Sequence, residues 1–488
     1  MRSFYSRSVL SAVLALPGTA VAQSDIVEDV RHLIDSGDFF GAYRMAEEEL
    51  ESHPKSNLAG SLNALAGEAL FLDGKYAQAA PFLEKARARN VADAYLYSGK
   101  LAMLEYDFPL AVQMYEKYIS LKEKASKAPD ENVIAEKEAA SLGAEMLERV
   151  EDITVIDRID VPADQFFSHY KLSPESGRLL DWKDVESDYS ERSLHSQVES
   201  PVFQSERGDF RMWAERDTTG DGESYIVESG RFVGGGWEEP QRTDEVLNGG
   251  GNAAFPFMMA DGSTLYFASD GDGSIGGYDI FRSNRDSATG EYMAPVNMGM
   301  PYNSPYNDYM LAIDESTGIG WWATDRNSLE DNYISLYLFI PNDLRKNYDS
   351  ENPQIKELAK LSDITLTQNE EDEETIQSLR DKVNEMEVVI SSKIEEFQFP
   401  VGSGKIYRNM DDFKSSSARE KMQIWLSRNI ELKKNQETLS NLRRQFSQNS
   451  FDKSLRTKIV SLEQQVERES KALDKLRGEI IRDELKSL

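Results

Sequence analysis

Three short segments of this chain recur at nearly constant spacing, and that recurrence limits its fold more than any other feature. Met212-Trp213-Ala214-Glu215-Arg216 returns as Tyr266-Phe267-Ala268-Ser269-Asp270 and again as Trp321-Trp322-Ala323-Thr324-Asp325, at steps of 54 and 55 residues. The flanks recur too. Tyr225-Ile226-Val227-Glu228-Ser229 aligns with Asp279-Ile280-Phe281-Arg282-Ser283, Trp237-Glu238-Glu239-Pro240 with Tyr292-Met293-Ala294-Pro295, and Asn252 with Asn307. Runs of β-branched and aromatic residues separated by Gly, Asp, Asn and Pro read as strands and turns, so residues 151–345 are expected to be an all-β region.

Each unit offers a polar turn, a strand ending in a small residue and an acid, a loop and a further strand, the layout of a β-propeller blade. The segments LYFASDG from Leu265, GGYDIF from Gly276 and APVNMGMPYNSPYND from Ala294 resemble the WD40-like repeats of TolB-type propellers, over roughly residues 200–340. A propeller generally has about four to eight blades, and only three copies are plain. The stretch from Ile153 to Val202 is expected to supply a fourth, with a strand pair near residues 397–407 as a candidate to complete it. The expectation is a small or irregular propeller.

Residues 23–150 carry a second, helical repeat. Gly37-Asp38-Phe39-Phe40-Gly41-Ala42, Gly74-Lys75-Tyr76-Ala77-Gln78-Ala79 and Tyr106-Asp107-Phe108-Pro109-Leu110-Ala111 bring an aromatic residue and an alanine together at steps of 37 and 32 residues. Those steps bracket the period of about 34 residues of tetratricopeptide repeats, which this region resembles. Pro54 follows Ala42 as the terminal proline of that family does, and Ala46, Leu83 and Tyr115 stand four residues after the alanines, on one helical face. Gly67 falls inside a helix, where it costs about 1 kcal/mol relative to alanine. A seventh helix near Glu131–Arg149 is expected to cap the array. Such an array presents a groove for a peptide or partner helix; the alternative is that it only braces its neighbour.

Composition narrows the chemistry. The 488 residues, enough for several domains, hold 55 Lys plus Arg against 86 Asp plus Glu, a net charge of −31 that disfavours nucleic acid and anionic lipid. The absence of cysteine removes disulfides, thiolate metal sites and thiol catalysis. Four histidines remain, His32, His53, His169 and His195, none in a His-x-x-x-His pair. Residues 1–22, with Arg2 and Arg7, an apolar run from Val9 to Leu16 and Ala20-Val21-Ala22, read as a secretory signal peptide. The alternative is a frayed N-terminal helix. The mature chain, from about Gln23, is expected to be soluble and exported, and to reach a membrane only through a partner.

Candidate sites are few. Asp217-Thr218-Thr219-Gly220-Asp221-Gly222 and Asp270-Gly271-Asp272-Gly273 place carboxylates on tight turns, either as hairpin turns or as oxygen ligands for calcium. Gly234–Gly236 and Gly249–Gly251 lack the Lys-Ser/Thr of a phosphate loop. No Gly-x-Ser-x-Gly elbow accompanies the histidines. Trp321-Trp322 offers an aromatic surface, with at least one ring expected in the core. No catalytic residue, cofactor-binding residue or metal ligand is assigned, and no cofactor is expected.

Residues 350–488 are charge-rich but balanced, with 24 Lys plus Arg and 26 Asp plus Glu. After the acidic run Glu370–Glu374, apolar residues fall at Ile376, Leu379, Val383, Met386 and Ile390. A second seam runs through Leu455, Ile459, Leu462, Val466, Glu469, Leu473, Leu476 and Ile480, the spacing of a coiled coil. Leu432, Leu439 and Leu442 are its expected partners in an antiparallel helical hairpin, with Ser450 or Asp452 as N-cap; a homodimer through these helices is the competitor.

The expected fold class is thus multidomain: a tetratricopeptide-like α-solenoid, a small or irregular β-propeller and a C-terminal helical hairpin or coiled coil. This pairing resembles exported envelope proteins of Bacteroidota-type bacteria, without the OmpA-like domain that ends some of them. The resemblance implies a non-catalytic, periplasmic protein–protein interaction scaffold of an outer-membrane-associated envelope or secretion assembly. The alternatives are a propeller enzyme acting on glycans or peptides and a glycan-binding sensor without catalysis.

Overall fold

The computed structural model describes residues 25–128, 131–189, 196–218, 222–233, 236–328, 332–369, 373–393, 399–402, 405–407 and 453–486, with scattered positions between 413 and 442. The chain divides into two compact units, residues 1–382 and 383–488.

Among the described residues the first unit opens with seven helices: α1 (Asp25–Asp35), α2 (Phe39–Ser52), α3 (Ala59–Leu72), α4 (Tyr76–Arg87), α5 (Ala92–Leu104), α6 (Phe108–Lys124) and α7 (Glu131–Leu147). The repeated alanines Ala42, Ala79 and Ala111 are fully buried, and so, to within 1 % exposure, are Ala46, Leu83 and Tyr115. Gly67 has its reason here. A Cβ on it would sit 2.5 Å from Leu83, just as one on Gly99 would sit 2.6 Å from Tyr115, so glycine lets α3 meet α4 and α5 meet α6 closely. The turns after α1, α3 and α5 close alike, through Asp38 N–H to Leu33, Lys75 N–H to Leu70 and Asp107 N–H to Ala102, the pattern of a left-handed helix C-terminus. Gly37 and Gly74 occupy the left-handed position at φ +83° and +75°; in the third turn Tyr106 takes it at φ +55°. Burial of the Tyr106 ring beside Phe108, 5.6 Å away, offsets that strain.

The last helical face is covered by the β region. Phe108, Val133, Ala140, Met146 and Val150 share one core with Ile275, Met300 and Ala359. Backbone bonds from Glu151 N–H to Met300 and from Tyr348 N–H to Val150 join the two parts without a linker.

Three antiparallel sheets follow. The strands are β1 (Thr154–Pro162), β2 (Arg178–Leu180), β3 (Ser196–Val198), β4 (Val202–Gln204), β5 (Phe210–Asp217), β6 (Ser224–Gly230), β7 (Gln241–Arg242), β8 (Ala253–Met258), β9 (Thr264–Ser269), β10 (Asp279–Asn284), β11 (Val296–Asn297), β12 (Asp308–Asp314), β13 (Ile319–Thr324) and β14 (Tyr333–Ile340). The first sheet runs β2-β4-β5-β6-β7 with β3 also on β5, the second β8-β9-β10-β11, the third β12-β13-β14-β1. The three sequence copies form the equivalent strands β5, β9 and β13. The stretch 153–202, expected as a sheet of its own, is shared out instead. Its first strand closes the outer edge of the third sheet, with Thr154 opposite Ile340 and Pro162 opposite Tyr333, while β2 and β3 join the first sheet. Pairing eight residues of β1 with β14 satisfies an edge that a separate sheet would have left open.

Beyond the sheets, α8 (Ile355–Lys360) and the first turns of α9 (Glu373–Lys393) complete the first unit. Thr367 and Gln368 bond the N–H and C=O of Val155, and Arg380 donates to the Ile156 carbonyl.

In the second unit β15 (Phe399–Gly402) and β16 (Lys405–Tyr407) pair with each other, not as a completion of the sheet block. They pack on α10 (Lys453–Leu485) through Phe399, Val401, Tyr407 and Ile480, with Phe413 and Met422 in the same core. Helical residues recur between 417 and 442 and run antiparallel to α10: Lys421 pairs with Asp483 at 2.6 Å, Trp425 Nε1 donates to the Leu473 carbonyl at 3.2 Å, and Arg428 pairs with Glu469 at 3.2 Å. The expected seam is the buried side of α10, Ile459, Leu473 and Ile480 being its deepest members. It gains Glu484, fully buried, which accepts from the Tyr407 hydroxyl and from Lys414 and Ser415 N–H at 2.8–3.0 Å. The N-cap candidates Ser450 and Asp452 lie outside the described residues.

Candidate functional site

The β region is knit by bonds that recur with the sequence repeat. Asn252 donates its backbone and side-chain N–H to Asp270 at 2.7 Å each, and Asn307 repeats this on Asp325 at 2.9 and 2.7 Å. In the first copy Arg216, aligned with Asp270, pairs with Glu199 at 3.2 Å. Two further bonds recur with the repeat, and the first of them, at Asn248 and Asn303, escaped the sequence reading. Asn248 clasps the N–H and C=O of Ile226, and Asn303 does the same to Ile280. The hydroxyls of Ser229 and Ser283 donate to the carbonyls of Glu238 and Met293. The 55-residue step from Asn248 to Asn303 was the available signal; one asparagine among many had nothing else to mark it.

The region between the second and third sheets is filled. A 3-10 turn, Ala163–His169, sends Phe166 to within 6.0 Å of Phe255 and 5.4 Å of Tyr309, which stack on each other at 4.7 Å. Tyr170 lies 5.6 Å from Trp321 and donates its hydroxyl to the Met310 carbonyl. Both Trp321 and Trp322 are fully buried, Trp322 stacked on Tyr337 at 4.9 Å, so neither ring offers a sugar-stacking surface.

Several ionisable groups inside the sheets are buried and bonded within the fold. Arg326 and Asp308, 1 % and 0 % exposed, form an ion pair, and Arg326 also donates to the carbonyls of Pro301, Tyr302 and Ala359. Burial raises the Asp308 carboxyl against the pull of Arg326. Burial raises Asp279 well above the usual carboxylate range, against hydrogen bonds from Asn297, Ile275 and Gly276. Asp314 goes the other way: burial would raise it, but the Ser173 N–H and the hydroxyls of Ser173, Ser316 and Ser176 hold it low.

Of the turn candidates, Asp270 has a structural partner. Asp270 is spent on Asn252, and a Cβ on Gly251 would sit 2.7 Å from its carboxylate, so the Gly249–Gly251 run permits a close loop contact. Thr219–Asp221, Gly234 and Gly235 lie outside the described residues, as does His195. Among the described residues no three His, Asp or Glu side chains gather in a metal-binding group. His53 pairs with Glu49 at 2.9 Å, and His169 ends the 3-10 turn.

An open site lies in the helical region. A cleft of about 370 Å³, within the usual range for ligand pockets, is lined by Val27, Glu28, Arg31, His32 and Asp35 of α1, by Ser61, Ala64 and Leu65 of α3, and by Val91 and Asp93 at the start of α5. Arg31 reaches Glu68 at 2.5 Å, and Glu68 also accepts from the Tyr97 hydroxyl at 3.0 Å. Burial disfavours the Arg31 charge, yet Glu68 outweighs it and the guanidinium is held above its ordinary value. Asp93 pairs with Lys122 at 3.2 Å, and Lys100 with Glu136 at 2.6 Å. A second cleft, about 410 Å³, lies over α5 and α6 beside Tyr95, Met114 and Lys117. Among the described residues, His32 is a histidine that lines an open cleft. Among the described residues no helix is long and apolar enough to cross a membrane. Comparisons with protein-family models, curated proteins and solved structures find no match for this chain.

Proposed function

We propose that this chain is a non-catalytic protein–protein interaction scaffold, a periplasmic subunit of an outer-membrane-associated envelope or secretion assembly. In this reading α1–α7 are a tetratricopeptide-like solenoid, the three sheets are blades of a small and irregular β-propeller, and the second unit is a helical hairpin that offers further surface. The cleft over α1, α3 and α5 carries the proposal: charged side chains stand around an apolar floor of Val27, Ala64 and Leu65, a composition suited to a protein segment. Recurrent Asn–Asp and Asn–backbone bonds support the blade reading, and the aromatic fill around Phe166 supports a propeller used as a rigid base. The secretory pattern of residues 1–22 supports export.

Affinity purification of the tagged chain from envelope extract tests this. A partner should be recovered in stoichiometric amount with the wild type and lost with Ser61→Trp, which fills the cleft. Recovery of a monomer without stoichiometric partner, or equal capture by both forms, overturns docking through the cleft.

A further inference from the structure

We infer that the α1–α3–α5 cleft selects a cationic protein segment, one in which a lysine or arginine is flanked by apolar residues. This rests on the docking reading above and adds the charge of the ligand. The cleft has a cation of its own, Arg31, but Glu68 consumes it. The pair is neutral, so the charge of the cleft is set by its other lining residues. Asp93 shares Lys122 but keeps 39 % of its side chain exposed. Glu28 and Asp35 are exposed seven residues apart on α1, hence on one face, and among the described residues neither has an ion-pair partner. The rim is therefore carboxylate-rich and the floor apolar. An ammonium or guanidinium finds counter-charges there, while an anionic segment would face Glu28, Asp35 and Asp93, with His32 and the already paired Arg31 as the basic groups of the lining. The net charge of −31 draws cationic ligands toward the protein at low salt.

Fluorescence anisotropy with the full mature chain tests this, using a labelled nine-residue peptide of Leu, Ala and Lys and its Glu-for-Lys counterpart. The Lys peptide should bind at least tenfold more tightly than the Glu peptide. Glu28→Gln/Asp35→Asn should weaken it at least tenfold, whereas Glu48→Gln/Glu51→Gln, the same change of net charge outside the cleft lining, should leave it within twofold. Equal binding of both peptides, or equal loss in both double variants, overturns the charge assignment and leaves docking standing. Binding of neither peptide overturns this inference and counts against docking through the cleft as well.

Discussion

Replacing Arg326 by methionine should destabilise the sheet block by about 3–5 kcal/mol, the usual cost of removing one partner from a buried ion pair. The structure explains why the cost is not confined to one bond. Asp308, fully buried, would retain only the Ser304 and Thr324 hydroxyls, and the carbonyls of Pro301 and Tyr302 would lose their donor. With a urea slope of about 3 kcal/mol/M the unfolding midpoint should fall by about 1–1.7 M. Tryptophan emission is a suitable readout, since Trp182, Trp213, Trp237, Trp321 and Trp322 all lie in the β region. The pH dependence makes the test sharper. Asp308 is already raised by burial, and losing Arg326 raises it further. A carboxyl whose folded value lies above its unfolded value of about 3.9 holds more protons folded than unfolded, so stability falls as pH climbs through that window. The Arg326→Met penalty should be smaller at pH 5 than at pH 8, and Asp308→Asn/Arg326→Met should recover part of it. A penalty below about 1 kcal/mol, or one equal at both pH values, would refute the argument that an uncompensated buried charge is what the variant creates.

Asp314→Asn should also lose its deficit in acid, but over a lower window: Asp314 is held low, so its contribution is present above about pH 4 and is lost only as pH falls through its folded value, and the variant's deficit in thermal unfolding should shrink there. Gly67→Ala gains about 1 kcal/mol in helix propensity but places a Cβ 2.5 Å from Leu83, so overpacking of about 1–3 kcal/mol should dominate; in a Leu83→Ala background the same change should be neutral or stabilising by circular-dichroism melts. Glu484→Ala leaves Lys414 and Ser415 N–H and the Tyr407 hydroxyl without their acceptor. That is a cap-like loss of about 1–2 kcal/mol, and limited proteolysis should cut residues 383–488 faster while sparing residues 25–382.

Local pattern was read correctly where local physics decides it. Helix identity followed from apolar spacing, and Ala42, Ala79 and Ala111 were legible as contact points because a small residue at a fixed offset from an aromatic has few other uses. The strands β5, β9 and β13 were legible because one copy checks another. Gly67 was read only as a cost, since its benefit belongs to Leu83 on another helix. A groove was expected of the helical array but its lining was not legible: Glu28, Arg31 and Asp35 are ordinary surface residues until α3 and α5 are laid beside α1. Glu484 is likewise one more acid in a charged helix until its carboxylate meets the N–H groups of residues 414 and 415.

By itself, then, the amino-acid order determined the element types, the two repeat periods and the apolar seam of α10, because periodicity acts over a few neighbours. Tertiary structure alone decided that β1 closes the third sheet on β14, far along the chain, that Phe166 and Tyr170 fill the space between sheets, and that charged residues of three helices surround one cleft. Those outcomes depend on which edges and faces are left unsatisfied once the local elements exist, and that is settled by packing across the whole unit.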